Sequence, residues 1–266
     1  MIVRRGLCLA LSALALCAHA DPAPGDEPIE STGADTRLDL IRRDDPSAFD
    51  CLVGLGLRDG EFYDKVTDAL EFPPDTAFFE ARFTDGTRVE IRVHPELGGP
   101  DEARTEAERI ARALGRLPHV LRPGIERVGI LGGDATAMAD GGGEGIHLYR
   151  ENVERRVAAN RFEETLFHEA VHTTLDDVHA RSPEWIAAQE ADGGFLTAYA
   201  RARPEREDLA ETALYAYALL HHPERVPVDD TVRWKAQVPH RIALIAEIIP
   251  KATPSPSKGS GCKRSG

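Results

Sequence analysis

The stretch that most constrains this chain is residues 162–177, FEETLFHEAVHTTLDD, in which His168, Glu169 and His172 follow the order His-Glu-x-x-His. Residues four apart share nearly the same face of an α-helix, about 5–6 Å from one another. Both imidazoles can therefore reach one metal ion, and Glu169, one residue on, can meet a water held there. Phe162, Leu166, Val171 and Leu175 supply an apolar side, and Glu163 and Glu164 occupy the opening turn, where the helix dipole favours acids. The spacing predicts a helix with one buried side and one metal-binding face. The plainer alternative is a helix that carries two histidines and no metal.

The beginning and end of the chain read differently from its middle. Arg4 and Arg5, a short apolar run from Leu7 to Cys17, and Ala18-His19-Ala20 form the pattern of a signal peptide over residues 1–20. The run is too short for a membrane span. The expectation is an exported protein, periplasmic or secreted, beginning at Asp21 and without stable membrane insertion after cleavage. With 45 acids against 32 Lys and Arg, the net charge is −13. Such a chain lacks the basic face that a nucleic acid or an anionic membrane would require. Of the four cysteines, Cys8 and Cys17 leave with the leader, so Cys51 and Cys262 remain for an oxidising compartment. A disulfide between them is expected, with two free thiols as the alternative. The chain contains no Cys-x-x-Cys, which removes a thiolate zinc site of that kind.

Residues 21–35, rich in Pro, Gly and acids, are expected to be a flexible leader, and residues 251–266 a flexible tail. The folded domain spans residues 36–250. Leu38, Leu40 and Ile41 suggest a short helix. Apolar positions alternate at Phe79, Ala81 and Phe83 and again at Val89, Ile91 and Val93, either side of Thr84-Asp85-Gly86, which predicts a β-hairpin. Residues 100–117 predict a helix with a stripe of Ala103, Ala107, Ile110, Ala111 and Leu114. Residues 128–131 and 145–149 predict short strands. The glycine-rich residues 132–145 between them match no phosphate-binding pattern and read as a plain loop. His147 is expected to be structural or exposed. The last strand is placed at the rim of a cleft, where an edge could hold an extended peptide by main-chain hydrogen bonds. Beyond residue 177 the pattern is helical: residues 184–191 after Ser182-Pro183, residues 207–222, and residues 231–249 broken at Pro239. The class is α+β, a small twisted sheet with the histidine helix and a mostly helical C-terminal half.

A catalytic zinc usually takes three protein ligands. His179 is one candidate, but a histidine that closes a metzincin site needs a preceding glycine to turn the chain. Leu175 stands at that position, and His179 comes one residue late. Glu207, in Glu207-Asp208-Leu209-Ala210-Glu211, can complete a two-histidine, one-glutamate site from a second helix. Glu211 falls one turn later on the same face, and with Asp176 and Asp208 it can orient a ligand histidine through a hydrogen bond.

HEAVHTTLDD followed by YARARPEREDLAETALYAYALLHHPER resembles the gluzincin peptidases, and among them the catalytic domain of anthrax lethal factor and its relatives. The resemblance covers residues 162–225. It implies a zincin-like fold in which His168, His172 and Glu207 bind one catalytic Zn2+ and Glu169 is the general base. It also implies that Tyr199 takes the place of the tyrosine that stabilises the transition state. Two features depart from that pattern: one extra residue between Tyr199 and Glu207, and a shorter gap between the histidines and the glutamate. The reading is an exported zinc metallopeptidase acting on a peptide or protein substrate. Its alternative is a non-catalytic zinc-binding domain that holds a protein or cell-envelope partner. Glu169 discriminates the two, since metal binding alone does not require it. A third possibility is a latent enzyme whose cleft is covered by the leader or the tail.

Overall fold

The computed structural model describes residues 27–34, 36–140 and 145–250. The signal-peptide segment, residues 21–26 of the leader and the tail lie outside the described residues. The strands are β1 (Phe49–Arg58), β2 (Phe62–Asp64), β3 (Ala69–Glu71), β4 (Thr76–Phe83), β5 (Arg88–Val93), β6 (Arg127–Leu131), β7 (Met138–Ala139) and β8 (Gly145–Tyr149). The helices are α1 (Pro100–Leu114), α2 (Arg150–Ala158), α3 (Phe162–Leu175), α4 (Pro183–Asp192), α5 (Ala198–Ala202), α6 (Asp208–His221), α7 (Val228–Gln237) and α8 (Pro239–Ile248). The fold is α+β, with a mixed sheet followed by a helical C-terminal half.

The main sheet has six strands in the order β1-β4-β5-β6-β8-β7. β4 and β5 form the expected antiparallel hairpin, with Ala77 opposite Val93 and Arg82 opposite Arg88. Gly86, at φ +89°, turns it where a side chain would be strained. A parallel pair cannot be joined by a tight turn, so α1 carries the chain from β5 to β6. Its stripe of Ala103, Ala107, Ile110, Ala111 and Leu114 joins Phe79, Ala81, Phe83, Val89 and Ile91 in one buried cluster. Phe62, Leu131 and Tyr149 make a second, smaller cluster where the β2–β3 hairpin folds over the sheet.

Several elements differ from the sequence reading. Leu40 and Ile41 are buried but belong to irregular chain rather than a helix. They lead into β1, whose alternation is hidden by irregular pairing at Gly54–Gly56 and by an outer half with Leu55 and Leu57 exposed. α2 buries only Asn152 and Val153, too few for an apolar stripe to register. The segment read as a plain loop contains β7, which pairs antiparallel with β8. β8 is therefore interior and β7 forms the edge, a correction to the expectation that the 145–149 strand would be the rim. β7 has only two residues, so periodicity has nothing to act on.

The leader is the largest correction. Residues 27–34 are built into the fold: Ile29 and Glu30 donate to Leu196 O at 3.0 Å, and Ala198 and Tyr199 donate back to Glu30 O and Ser31 O at 2.9 and 3.2 Å. This short stretch adds almost no apolar area of its own, so composition gave no sign that main-chain hydrogen bonds would hold it. No helix among the described residues is long and apolar enough to cross a membrane.

Candidate metal centre

α3 runs through the protein, packed against α1, α2, α6 and the sheet. Twelve of its fourteen residues are buried, including His168 and Glu169, which accounts for apolar residues on more than one side of the helix. His168 and His172 are one turn apart, and α6 crosses α3 so that Glu207, at the N-cap of α6, meets both. His168 Nε2 and His172 Nε2 stand 3.1 Å apart, and Glu207 Oε2 lies 3.2 Å from the second and 3.4 Å from the first. Two atoms each about 2.0–2.1 Å from one ion, at the tetrahedral angle, would be about 3.3–3.4 Å apart. The three edges fit that triangle, and the three residues form a group able to hold a metal ion.

The surroundings fix the ligands. Asp176 Oδ2 is 2.7 Å from His172 Nδ1, which orients that imidazole so that Nε2 points to the centre. The π-helical turn Asp176–Ala180 begins at this aspartate. Glu211 Oε1 lies 3.3 Å from His168 Nδ1, close enough for electrostatic support but without an aligned hydrogen bond. Glu211 itself is held by Gly33 N at 2.6 Å, Thr197 Oγ1 at 2.7 Å and Thr32 Oγ1 at 3.0 Å. Residues 32 and 33 thus grip the carboxylate behind the site, and none of residues 27–34 lines the cleft. For residues 27–34, the idea of a covering lid is replaced by that of a structural brace.

Electrostatically, His172 and Glu207 each shift the other. Burial tends to lower the His172 pKa, but Asp176 and Glu207 outweigh it and the group is pushed up to about 10. Burial likewise tends to raise the Glu207 carboxyl, yet hydrogen bonds to His168 and His172 hold it well below the usual range. Such pairing of a buried carboxylate with two imidazoles is a donor set that a divalent cation would satisfy once the histidine proton leaves.

A cleft of about 680 Å³ opens over the triad, lined also by Glu169, Tyr199 and the β7 rim from Thr136 to Asp140. Tyr199 is about one-third exposed, with the Arg203 guanidinium 4.6 Å from its ring centre. Burial and the Glu207 charge both raise its hydroxyl's pKa, so it remains a donor at neutral pH.

One expectation about the acids needs correction, while the two other histidines stay apart from the triad. Asp208 faces away from the ligand histidines: its oxygens take Arg241 Nη1 at 2.7 Å and Gln189 Nε2 at 2.8 Å. Adjacent helix positions point about 100° apart, so Asp208 cannot share the direction of Glu207. His179 lies beside Trp185 and Ile248, lining another pocket. His147 is buried and pairs with Asp140 at 2.5 Å. Arg127 Nη2 meets the other Asp140 oxygen at 2.7 Å, so the two together anchor the rim after β7. Cys51 is disulfide-bonded, and its expected partner Cys262 lies outside the described residues.

Sequence reasoning missed Lys65, which reaches the cleft from the β2–β3 turn, and Thr32, Gly33 and Thr197, which hold Glu211. None carries a local pattern, because each acts on residues more than ten positions away in the chain. Comparison with known proteins returns no matching family model, no matching curated protein and no matching solved structure. The functional reading rests on the residues of the site.

Proposed function

We propose that this protein is a zinc-dependent peptidase with a zincin-like fold of the gluzincin type. The observation that carries the reading is the meeting of His168 Nε2, His172 Nε2 and Glu207 Oε2 within 3.4 Å of one another, in a cleft that also presents Glu169. Two imidazoles and one carboxylate are a donor set suited to a single catalytic zinc. Bound zinc supplies Lewis acidity, polarising a carbonyl and easing the ionisation of water near neutral pH.

The remaining work belongs to the side chains. Glu169 takes the proton of the attacking water and delivers it to the departing nitrogen, so that neither free hydroxide nor an amide anion has to form. The Tyr199 hydroxyl, kept protonated, donates to the oxygen on which negative charge develops, an interaction that strengthens towards the transition state. The edge of β7 offers main-chain groups to an extended peptide. The signal-peptide pattern of residues 1–20 supports an activity exercised in the periplasm or outside the cell.

Replacing Glu169 with Gln keeps the ligand triad and removes the base. The expected outcome is unchanged zinc content with peptide hydrolysis lowered by about 10²–10⁴-fold. Hydrolysis at the wild-type rate by the purified variant would overturn the assignment. Zinc binding without cleavage of a mixed peptide library by the unaltered protein, beside a chelator control, would instead favour a binding domain.

A further inference from the structure

Lys65 is held in place at both ends. Its backbone N donates to Tyr149 Oη at 2.8 Å, and that hydroxyl donates to Asp64 Oδ1 at 3.0 Å, which pins the β2–β3 turn to β8. Its ammonium donates to Thr136 Oγ1 at 2.6 Å and lies 3.4 Å from Ala137 O, both on the rim. An ammonium has three donors, and both of these partners are neutral. Among the described residues no carboxylate lies within ion-pair distance of it. It nonetheless lines the same cleft as His168, His172 and Glu169 and is partly shielded from water.

Of the acids that line the cleft, Glu169 acts on this charge only from beyond ion-pair distance, and Asp177 and Glu205 make no ion pair with it. Glu207 and Asp176 are engaged by the histidines, and Asp140 by Arg127 and His147. Arg181 and Arg203 also line the cleft and make no ion pair among the described residues. A partly desolvated cation is stabilised most by an anion brought to it.

We propose that Lys65 binds a carboxylate of the substrate and so selects what enters the cleft. The carboxylate is either the α-carboxylate of a peptide C-terminus, which would make the protein trim ends, or an Asp or Glu side chain, which would make it favour acidic sequences. This deepens the peptidase reading and rests on it for the word substrate; the carboxylate contact itself can be measured without turnover.

The test uses zinc-loaded protein carrying Glu169→Gln, so that peptides bind without being cut. Three pools of N-acetylated pentapeptides are titrated: neutral side chains with a free C-terminus, the same with a C-terminal amide, and amidated peptides with one glutamate. At least a tenfold preference is expected for one carboxylate pool over the neutral amide, as a charge-assisted hydrogen bond provides. The preferred pool identifies the source. Adding Lys65→Met should abolish the preference, and Lys65→Arg should retain it. Lys65→Gln serves if the methionine unsettles the turn, and should also abolish it. Thr136→Val, which cuts the rim contact but leaves the charge, should keep it. Equal binding of all three pools, or a preference untouched by Lys65→Met and Lys65→Gln, would overturn the proposal. A Lys65-dependent preference in protein whose Glu169-intact form cuts no bound peptide would uphold the carboxylate site and refute the peptidase.

Discussion

At the scale of single residues, the chemistry turns on which groups hold protons. His172, pushed up to about 10, is protonated in the metal-free protein at neutral pH. A metal ligand must be neutral imidazole, so binding has to expel that proton. The sign follows: stability that the metal-free protein draws from the charged His172 is complete below about pH 6.5 and lost as pH rises through about 10. Affinity for a zinc ion at the triad is expected to run the other way and strengthen as pH rises. Titration calorimetry at pH 7.5, in buffers of different ionisation enthalpy, should show release of about one proton per zinc bound. Asp176→Asn removes the negative charge beside Nδ1, so it should reduce the release and weaken zinc binding by about 10–100-fold. No release in the unaltered protein would show that the cluster is neutral before metal arrives.

At the scale of elements, the site is a crossing of two helices stiffened by a piece of extended chain. α3 brings His168 and His172, α6 brings Glu207 at its N-terminus, and residues 32 and 33 hold Glu211 behind them. A Cβ added at Gly33 would stand 2.9 Å from the backbone oxygen of Glu211, closer than a side chain can pack. The backbone of a buried helix does not yield easily, so Gly33→Ala is expected to cost about 1–3 kcal/mol of stability. Zinc affinity should fall with it, measured by thermal unfolding and metal competition. An unchanged variant would mean that the leader is dispensable to the site. The same crossing shows what was legible. His168, Glu169 and His172 share one turn of helix, and the Ser182 cap and Gly193 at φ +71° delimit α4 where expected. Asp208 was misread because two adjacent acids look alike in sequence, whereas the helix points them at different neighbours. β7 and residues 27–34 were unreadable because both are held by main-chain hydrogen bonds, which leave no periodic trace.

At the scale of the whole molecule, the helical half is tied together by a buried charge cluster separate from the metal site. Arg241 on α8 is fully buried and meets Asp192 at the end of α4 at 2.9 Å and Asp208 at the start of α6 at 2.7 Å. Gln189 and Thr212 complete the Asp208 partners. Removing the cation takes the buried countercharge from two carboxylates and leaves Gln189 and Thr212 on Asp208 and His240 on Asp192. Arg241→Ala should therefore lose about 3–5 kcal/mol, read from denaturant unfolding, with zinc stoichiometry kept in the fraction that folds. A loss below about 1 kcal/mol would show that water reaches and satisfies the cluster.

The sequence by itself determined the helix that carries His168, Glu169 and His172, the hairpin of β4 and β5, and the helical character of the second half. These depend on spacings of one turn or two residues, which neighbouring positions enforce. Glu207 was readable as a candidate because its helix pattern could be recognised, but its meeting with the histidines is a matter of how α6 crosses α3. Only the tertiary structure decided which acids face that crossing, that β7 is the edge, that residues 27–34 brace Glu211, and that Lys65 lies in the cleft. Those outcomes depend on where distant segments pack, and separation along the chain says little about separation in space.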